Sequence, residues 1–482
     1  MQLFGNGKRI LGILTALCLS FGCIEYDRVD AESKIFLGDC NADGQLDQAD
    51  VLLLRSFLCG EEIDLDTSNA DWNLDGAIDV RDLTFLKHEI LNPKLPESAV
   101  LLVYQCGSDL ESQALEATVD MDEMMRATHS ENLKIVLETG GSKHWHHSYA
   151  NAEANYRITI GSDGVSSKKI SKTPKNMGDA ETLRQFIAES VKEHPADRYG
   201  LIIWDHGAGP IYGCCYDELA DDLLTIPELC TGLEKGGVYF DFIGFDCCLM
   251  GSAEVAYAIR DYADYMVASE ETESGYGWYY KDFLTSWAKD VAIPTEELVK
   301  EIVDDMVGYN QQMGGPIPAV LAAYDLDYAQ PLMESVYLYI NDVMKLAQSQ
   351  GQQVIYNIRS EALDLGEEEY DLVDLGDIVD RLKTAHSDDV KRAISDMVIH
   401  KQSVGMSDEC GVNLWFYEKY PEDYQLLDQM YSSLGISEHY INTMKKMAMD
   451  FMRMRQMQSS IQTVEIRTDP WFEILWKQYR NE

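Results

Sequence analysis

Basic residues are scarce in this chain: its 482 residues carry 39 Lys and Arg against 83 Asp and Glu, a net charge of −44. A surface that negative repels nucleic acid and anionic membrane and attracts divalent cations, so nucleic-acid binding is excluded as a function. Cys-x-x-Cys pairs are missing among the 11 cysteines, which removes zinc-ribbon and thioredoxin readings. Cys40 and Cys59 stay open as a bridge, but the density is too low for a disulfide scaffold of this length. Phosphate-loop, Gly-x-Ser-x-Gly and His-Glu-x-x-His motifs are absent, and Gly207-Ala-Gly209-Pro-Ile-Tyr-Gly213 has the wrong spacing for a dinucleotide fingerprint.

Long apolar runs are lacking too. Ile10 to Phe21 follows Lys8-Arg9 and falls short of the ~20 residues a membrane span needs, so residues 1–23 read as a secretory signal and the protein as secreted. Leu19-Ser-Phe-Gly22-Cys23 also resembles a bacterial lipoprotein box, although Ser20 and Phe21 depart from it. Membrane contact is therefore expected only through a lipid on Cys23, which would anchor the protein at the cell surface.

The most specific pattern present is a repeat. Asp39-Cys-Asn41-Ala-Asp43-Gly44-Gln45-Leu-Asp47-Gln-Ala-Asp50 recurs 32 residues later as Asp71-Trp-Asn73-Leu-Asp75-Gly76-Ala77-Ile-Asp79-Val-Arg-Asp82. Oxygen donors at positions 1, 3, 5, 9 and 12, a backbone carbonyl at 7 (Gln45, Ala77) and Gly at 6 make two calcium loops. Position 12 is Asp in both, and each loop leads into one amphipathic helix, Val51 to Leu58 and Leu83 to Leu91, with no helix before it. Residues 35–92 resemble a dockerin. That likeness implies a small all-α module holding two Ca2+ ions and a cohesin-bearing scaffold protein as partner. The positions that set cohesin preference fall on Gln48-Ala49 and Val80-Arg81, which are not the common Ser/Thr pairs.

Asn92-Pro-Lys-Leu-Pro96 breaks the second helix, and residues 93–97 read as a linker. Beyond it, apolar runs at Ala99 to Tyr104, Leu133 to Leu137, Leu201 to Trp204, Phe242 to Asp246 and Tyr265 to Ser269 alternate with helical patterns such as Leu110 to Ala127 and Ala180 to Lys192. Asp179 is a candidate cap for the latter helix. Tyr156 to Ile160 reads as a hairpin strand. This is an α/β chain with a mainly parallel sheet flanked by helices over 98–293, followed by a mainly helical subdomain over 294–482. Asp246-Cys247-Cys248 lies where a strand ends and the helical pattern Leu249 to Ile259 begins, a setting that favours thiolate through the helix dipole. Taken alone, two cysteines at a strand end read as core residues. Asp205-His206-Gly207 closes another strand, and if both belong to one parallel sheet the imidazole and a thiol share its carboxyl edge.

Those two strand ends, with Ala268-Ser-Glu-Glu-Thr-Glu-Ser-Gly-Tyr-Gly-Trp278, Asp371-Leu-Val-Asp-Leu375 and Gly411 to Phe416, resemble the clostripain family of cysteine peptidases with a caspase-like fold. The resemblance implies a secreted endopeptidase acting on protein or peptide substrates, with Cys248 as nucleophile, His206 as its partner, and the N–H groups of Gly207 and Cys248 as oxyanion hole. It implies Asp246 as a binder of Arg or Lys at the scissile bond. The second acid usual for the family is replaced by Tyr276, which weakens basic preference and lines the pocket with an aromatic ring. Maturation cleavage after a basic residue is not expected, because no Lys or Arg stands between His206 and Glu234. A catalytically silent binding protein with the same fold is the other reading. His144-Trp-His146-His147 and Asp217, Asp221 and Asp222 read as solvated loops, and Met444 to Met457 as core or interface at helical spacing.

Overall fold

The structure, a computed structural model, describes residues 37–459 apart from 43–45, 47, 61–62, 64, 75, 92–94, 315–318, 367–369, 407–408 and 417–423. Residues 1–36, with the expected signal and Cys23, and Asp43, Gln45, Asp47 and Asp75 of the expected calcium loops lie outside the described residues. The chain divides into two compact units, Met1–Leu95 and Pro96–Glu482.

In the first unit the helices after the loops run Gln48–Leu58 and Val80–Leu91, each starting three residues before the apolar pattern does. Position 12 of each loop explains the early start. Asp50 Oδ1 accepts the N–H groups of Cys40 (2.8 Å) and Asn41 (3.3 Å), and Asp82 accepts those of Asn73 (3.3 Å) and Asp79 (2.8 Å), so each loop closes on the first turn of its helix. Leu54, Leu83 and Leu86 join Cys40 and Ala70 in a small core backed by Trp72 and Ile78. A single turn, Thr67–Ala70, capped by Asp66, precedes the second loop where no helix was expected. Cys40 is buried and Cys59 exposed, both as free thiols, so the open bridge does not form.

In the second unit the strands are β1 (Ala99–Cys106), β2 (Leu133–Gly140), β3 (Tyr156–Gly161), β4 (Gly164–Lys169), β5 (Arg198–Trp204), β6 (Cys214–Asp217), β7 (Asp222–Leu224), β8 (Phe240–Asp246), β9 (Ala263–Ala268), β10 (Ala319–Asp325), β11 (Asp364–Leu365), β12 (Leu372–Asp374), β13 (Val398–Val404) and β14 (Asn413–Trp415). Nine form one sheet in the order β13-β10-β9-β8-β5-β1-β2-β3-β4. Its centre, from β9 to β2, is parallel, and its flanks are antiparallel. The central strands are apolar throughout because both faces are covered. In β1, Leu101 and Val103 face one core and Val100, Leu102 and Tyr104 the other, the period-2 alternation of a strand between two helical layers.

Three expectations are corrected. The pattern from Leu110 to Ala127 is two helices, Ser108–Ala114 and Glu116–Arg126, because Leu115 sits in the left-handed region at φ 64°. Residues 294–482, expected to be mainly helical with one strand near Val412 to Phe416, hold that strand as β14 and four more: β10 and β13 extend the main sheet, and β11 and β12 join β14 in a second one. Asp217 is no solvated residue; its buried carboxylate accepts the N–H groups of Met177, Leu219 and Ala220 at 2.8–2.9 Å. Of the run Met444 to Met457, Met444 and Met447 are buried on one face of the helix, whereas Met449 and Met457 are exposed.

Candidate active site

β5 and β8 are parallel neighbours in a register that pairs Trp204 with Asp246. The Asp205 N–H donates to the Asp246 carbonyl at 3.3 Å, carrying the pairing past the strand ends. His206 and Cys248, each two residues beyond a matched pair, therefore leave the same carboxyl edge. A Cβ at Gly207 would lie 2.1 Å from the Cys248 carbonyl oxygen and 2.8 Å from Cys247 Cβ, so only glycine lets the two segments approach this closely. Gly207 also bridges Cys214. The two bonds of that bridge run from Cys215 N–H to the His206 carbonyl and from Ala208 N–H to the Gly213 carbonyl, and neither uses the Gly207 N–H.

The two cysteines differ. Cys247 is buried and donates its thiol to the Ile203 carbonyl at 3.2 Å, whereas Cys248 is only half-buried and its Sγ accepts the Glu273 N–H at 3.2 Å. The helix after them does not begin at Leu249. It runs Ala253–Ile259, capped by Ser252 Oγ, which accepts the N–H groups of Glu254 (3.1 Å) and Val255 (3.4 Å). Cys248 thus stands five residues ahead of the helix, and a dipole effect confined to the first turn does not reach it. The expected thiolate is overturned: burial, and then the Glu273 charge, push the Cys248 thiol up to about 12.

His206 Nε2 lies 2.9 Å from Asp109 Oδ1, a partner the sequence did not suggest. Asp109 sits in the helix that follows β1, so a third strand end meets the same edge. Burial opposes ionisation of Asp109, but the hydrogen bond and charge of His206 prevail and hold its carboxyl below the usual range. Ser108 braces the arrangement by donating to Asp205 Oδ1 at 2.5 Å.

Asp246 belongs to a buried acidic cluster. Its Oδ2 accepts the Tyr280 hydroxyl at 2.7 Å, Trp204 Nε1 donates to Asp120 Oδ2 at 2.7 Å, and a Cβ on Gly277 would lie 3.4 Å from Asp246 Oδ1 and 3.6 Å from Asp120 Oδ2. The backbone of Gly277, at φ +57°, thus passes directly over both carboxyl groups. Burial lifts Asp246 to about 7, and raises Asp120 and Glu273 well above the carboxylate range, with Asp246 as the next cause for both. Tyr276 is exposed at the rim, edge-on to Tyr309 at 6.4 Å, while Tyr279 stacks on Tyr309 at 4.5 Å. Asp120 and Glu273 carry no motif; Glu273 lay inside a quoted segment, and Asp120 occupies a helical face that offered no signal.

In the first unit the described loop residues fit a divalent cation. Asp50 and Asp82 are fully buried carboxylates, Gly76 takes φ +85°, and its N–H donates to Asp71 Oδ2 at 2.8 Å. Asp79 is shared with Arg81, whose Nη2 lies 2.8 Å away. His147 Nε2 sits 3.6 Å from Asp122 and His146 Nδ1 3.4 Å from Glu111; among the described residues these histidines form no metal cluster.

Family models match at residues 103–455, described as the clostripain family, and at residues 37–91, described as the dockerin type I domain. Clostripain from Hathewaya histolytica is 37% identical over 130 residues, which span 23% of this chain and 24% of that protein. This chain therefore spans about a quarter of that relative's length. An inactive zymogen C11 protease from Parabacteroides distasonis covers 71% of this chain and 99% of its own at TM-score 0.55 and 21% identity. A secreted C11 cysteine protease from Bacteroides thetaiotaomicron, solved with an irreversible peptide inhibitor, covers 70% and 98% at TM-score 0.54 and 19% identity. At those identities the structures show a common fold: the mainly parallel, caspase-like sheet described above. With a family model spanning most of its length, and the sheet edge built as above, the chain belongs to the clostripain family and carries a dockerin type I domain at its N-terminal end.

Proposed function

We propose that the protein is a secreted cysteine endopeptidase in which Cys248 and His206 act as a dyad. The observation that carries this reading is the β5–β8 register, which sends both residues from one edge with Gly207 packed against the Cys248 backbone. Cys248 Sγ attacks the scissile carbonyl and its proton leaves to His206, which then protonates the departing amine; water hydrolyses the thioester and restores the thiol. A thiol held near 12 is protonated at rest, so its proton moves as attack occurs. Asp109 orients the imidazole and stabilises its charged form. The N–H groups of Gly207 and Cys248 receive the oxyanion.

The acidic cluster supports cleavage after Lys or Arg despite Tyr276. Asp120 and Glu273 lie beside Asp246 and supply the negative charge that the rim position lacks. An incoming cation offsets the desolvation that keeps these carboxyl groups protonated. Tyr276 then forms an aromatic rim rather than the pocket floor.

The first unit is proposed to dock onto a cohesin-bearing scaffold. Asp39, Asn41, Asp50, Asp71, Asn73, Asp79, Asp82 and the Ala77 carbonyl would hold calcium, which supplies the charge that closes each loop on its helix. The recognition pairs Gln48-Ala49 and Val80-Arg81 lie exposed in the first turns of the two helices. The test is a fluorogenic peptide panel with Lys, Arg and neutral residues before the reporter, run with wild type, Cys248→Ala and His206→Ala. Turnover of basic peptides by wild type alone supports the reading. Absence of turnover on every peptide, with Cys248 inert to alkylation, overturns it in favour of a silent binding protein.

A further inference from the structure

Behind the nucleophile loop, Glu270, Asp374 and Cys410 bring one ligand atom each to within 4.8 Å of one another. They come from three separate segments: Glu270 just after β9, Asp374 at the end of β12, and Cys410 between β13 and β14. Backbone N–H groups aim each side chain. Gly411 N–H donates to Glu270 Oε1 at 2.7 Å, Asp377 and Cys410 N–H to the two Asp374 oxygens at 2.6 and 2.5 Å, and Gly376 N–H to Cys410 Sγ at 3.3 Å. Glu270 is 1% exposed; its Oε2 receives no N–H or hydroxyl donor among the described residues, and what it faces is the Asp374 carboxyl, with which it can share a proton, and the more distant Lys401 charge. A carboxylate oxygen left bare at that depth carries the full desolvation cost of its charge unless a cation or proton meets it.

We propose that Glu270, Asp374 and Cys410 form a site for a zinc-class divalent ion. Two carboxylates and a thiolate are a borderline donor set. Calcium takes oxygen alone, whereas zinc binds sulfur at about 2.3 Å and oxygen at about 2.0–2.2 Å. Tetrahedral donors at those lengths stand roughly 3.3–3.8 Å apart, so closing the cluster on an ion takes a shift of an ångström or so. Cys410 is half-buried and gives access, and a water completes the fourth position. Binding expels the thiol proton, and any proton held between the two carboxyl groups, to solvent. The ion then ties the second sheet to the nucleophile loop: Asn413 Nδ2 donates to the carbonyls of Leu249 (3.1 Å) and Glu270 (3.0 Å), and Leu249 N–H to the Glu271 carbonyl at 3.0 Å. Bound metal therefore stiffens the segments that carry Cys248 and Glu273 without touching the dyad.

The full chain, stripped of metal and then saturated with calcium to occupy the dockerin loops, is titrated with Co2+. The expected result is one equivalent bound with a thiolate-to-cobalt charge-transfer band, which stoichiometric Zn2+ bleaches while the melting temperature rises. Cys410→Ser abolishes the band, Cys248→Ala keeps it, and Glu270→Gln, which retains the acceptor for Gly411, weakens binding at least tenfold with an unchanged metal-free melt. The proposal is overturned if wild type shows no band at saturating Co2+, if the band survives Cys410→Ser or vanishes in Cys248→Ala, or if the melt ignores zinc, as a proton shared by the two carboxyl groups requires.

Discussion

Gly207→Ala probes the contact on which the site depends. The added Cβ would lie 2.1 Å from the Cys248 carbonyl oxygen and 3.1 Å from its carbonyl carbon. Carbon and oxygen need about 3.4 Å, so one segment must retreat by about 1.3 Å. Cys248 is fixed through its Sγ to Glu273, and the next residue, Leu249, takes φ +67° with its N–H on Glu271, so the movement falls on the Gly207 segment that carries His206. A misplacement of about 1 Å typically costs on the order of 10²-fold, and loss of one oxyanion donor about 10²–10³-fold in kcat, or about 3–4 kcal/mol. Turnover of a basic fluorogenic peptide by Gly207→Ala should therefore fall by about 10²–10³ in kcat with KM nearly unchanged, because Asp246 and Asp120 are held by Tyr280 and Trp204 and not by Gly207. Gly275→Ala is the control, since its Cβ would find only Glu116 Oε1 at an ordinary 3.5 Å. A Gly207→Ala enzyme that folds, by circular dichroism and melting temperature, yet keeps its rate within threefold would refute the dyad geometry.

Glu273→Gln keeps the N–H on Cys248 Sγ but removes the carboxyl whose ionised form raises the thiol's pKa; because burial also raises Glu273, iodoacetamide labelling of Cys248 should match wild type where that carboxyl is neutral and run faster than wild type once pH is high enough to ionise it, and an equal or slower rate across the whole range counts against the electrostatic account. Asp246 is held near 7 against an ordinary value near 4, so its neutral form contributes stability below about pH 4 that is lost as pH rises through 7. Asp246→Asn should then melt higher than wild type at pH 8, converge with it near pH 4, and lose preference for basic peptides; an equal gain at both pH values would show that charge is not the cause. Asp82→Ala opens the second calcium loop, and titration should find one calcium fewer with peptide turnover unaffected. Retained stoichiometry would remove Asp82 from the ligand set.

Sequence alone determined a good deal, because some signals are local. Two loops in register at 32 residues announce a hard-cation module, since donor spacing along a chain is enough to encode coordination. The buried strands were legible as apolar runs, and a meeting of His206 with a thiol could be expected because strands that end together in a parallel sheet share an edge; the choice of Cys248 over Cys247 came from the resemblance to the clostripain family. What the linear pattern left undecided depended on where one residue changes the path. Leu115 turns left-handed and splits a helix, and Ser252 delays another, which removes the dipole from Cys248 and leaves burial to set its pKa. Asp109, Asp120 and Glu273 reach the site from three different elements. Only the packed sheet decides which carboxylates are buried together, because desolvation and like-charge repulsion depend on distance through space and not along the chain.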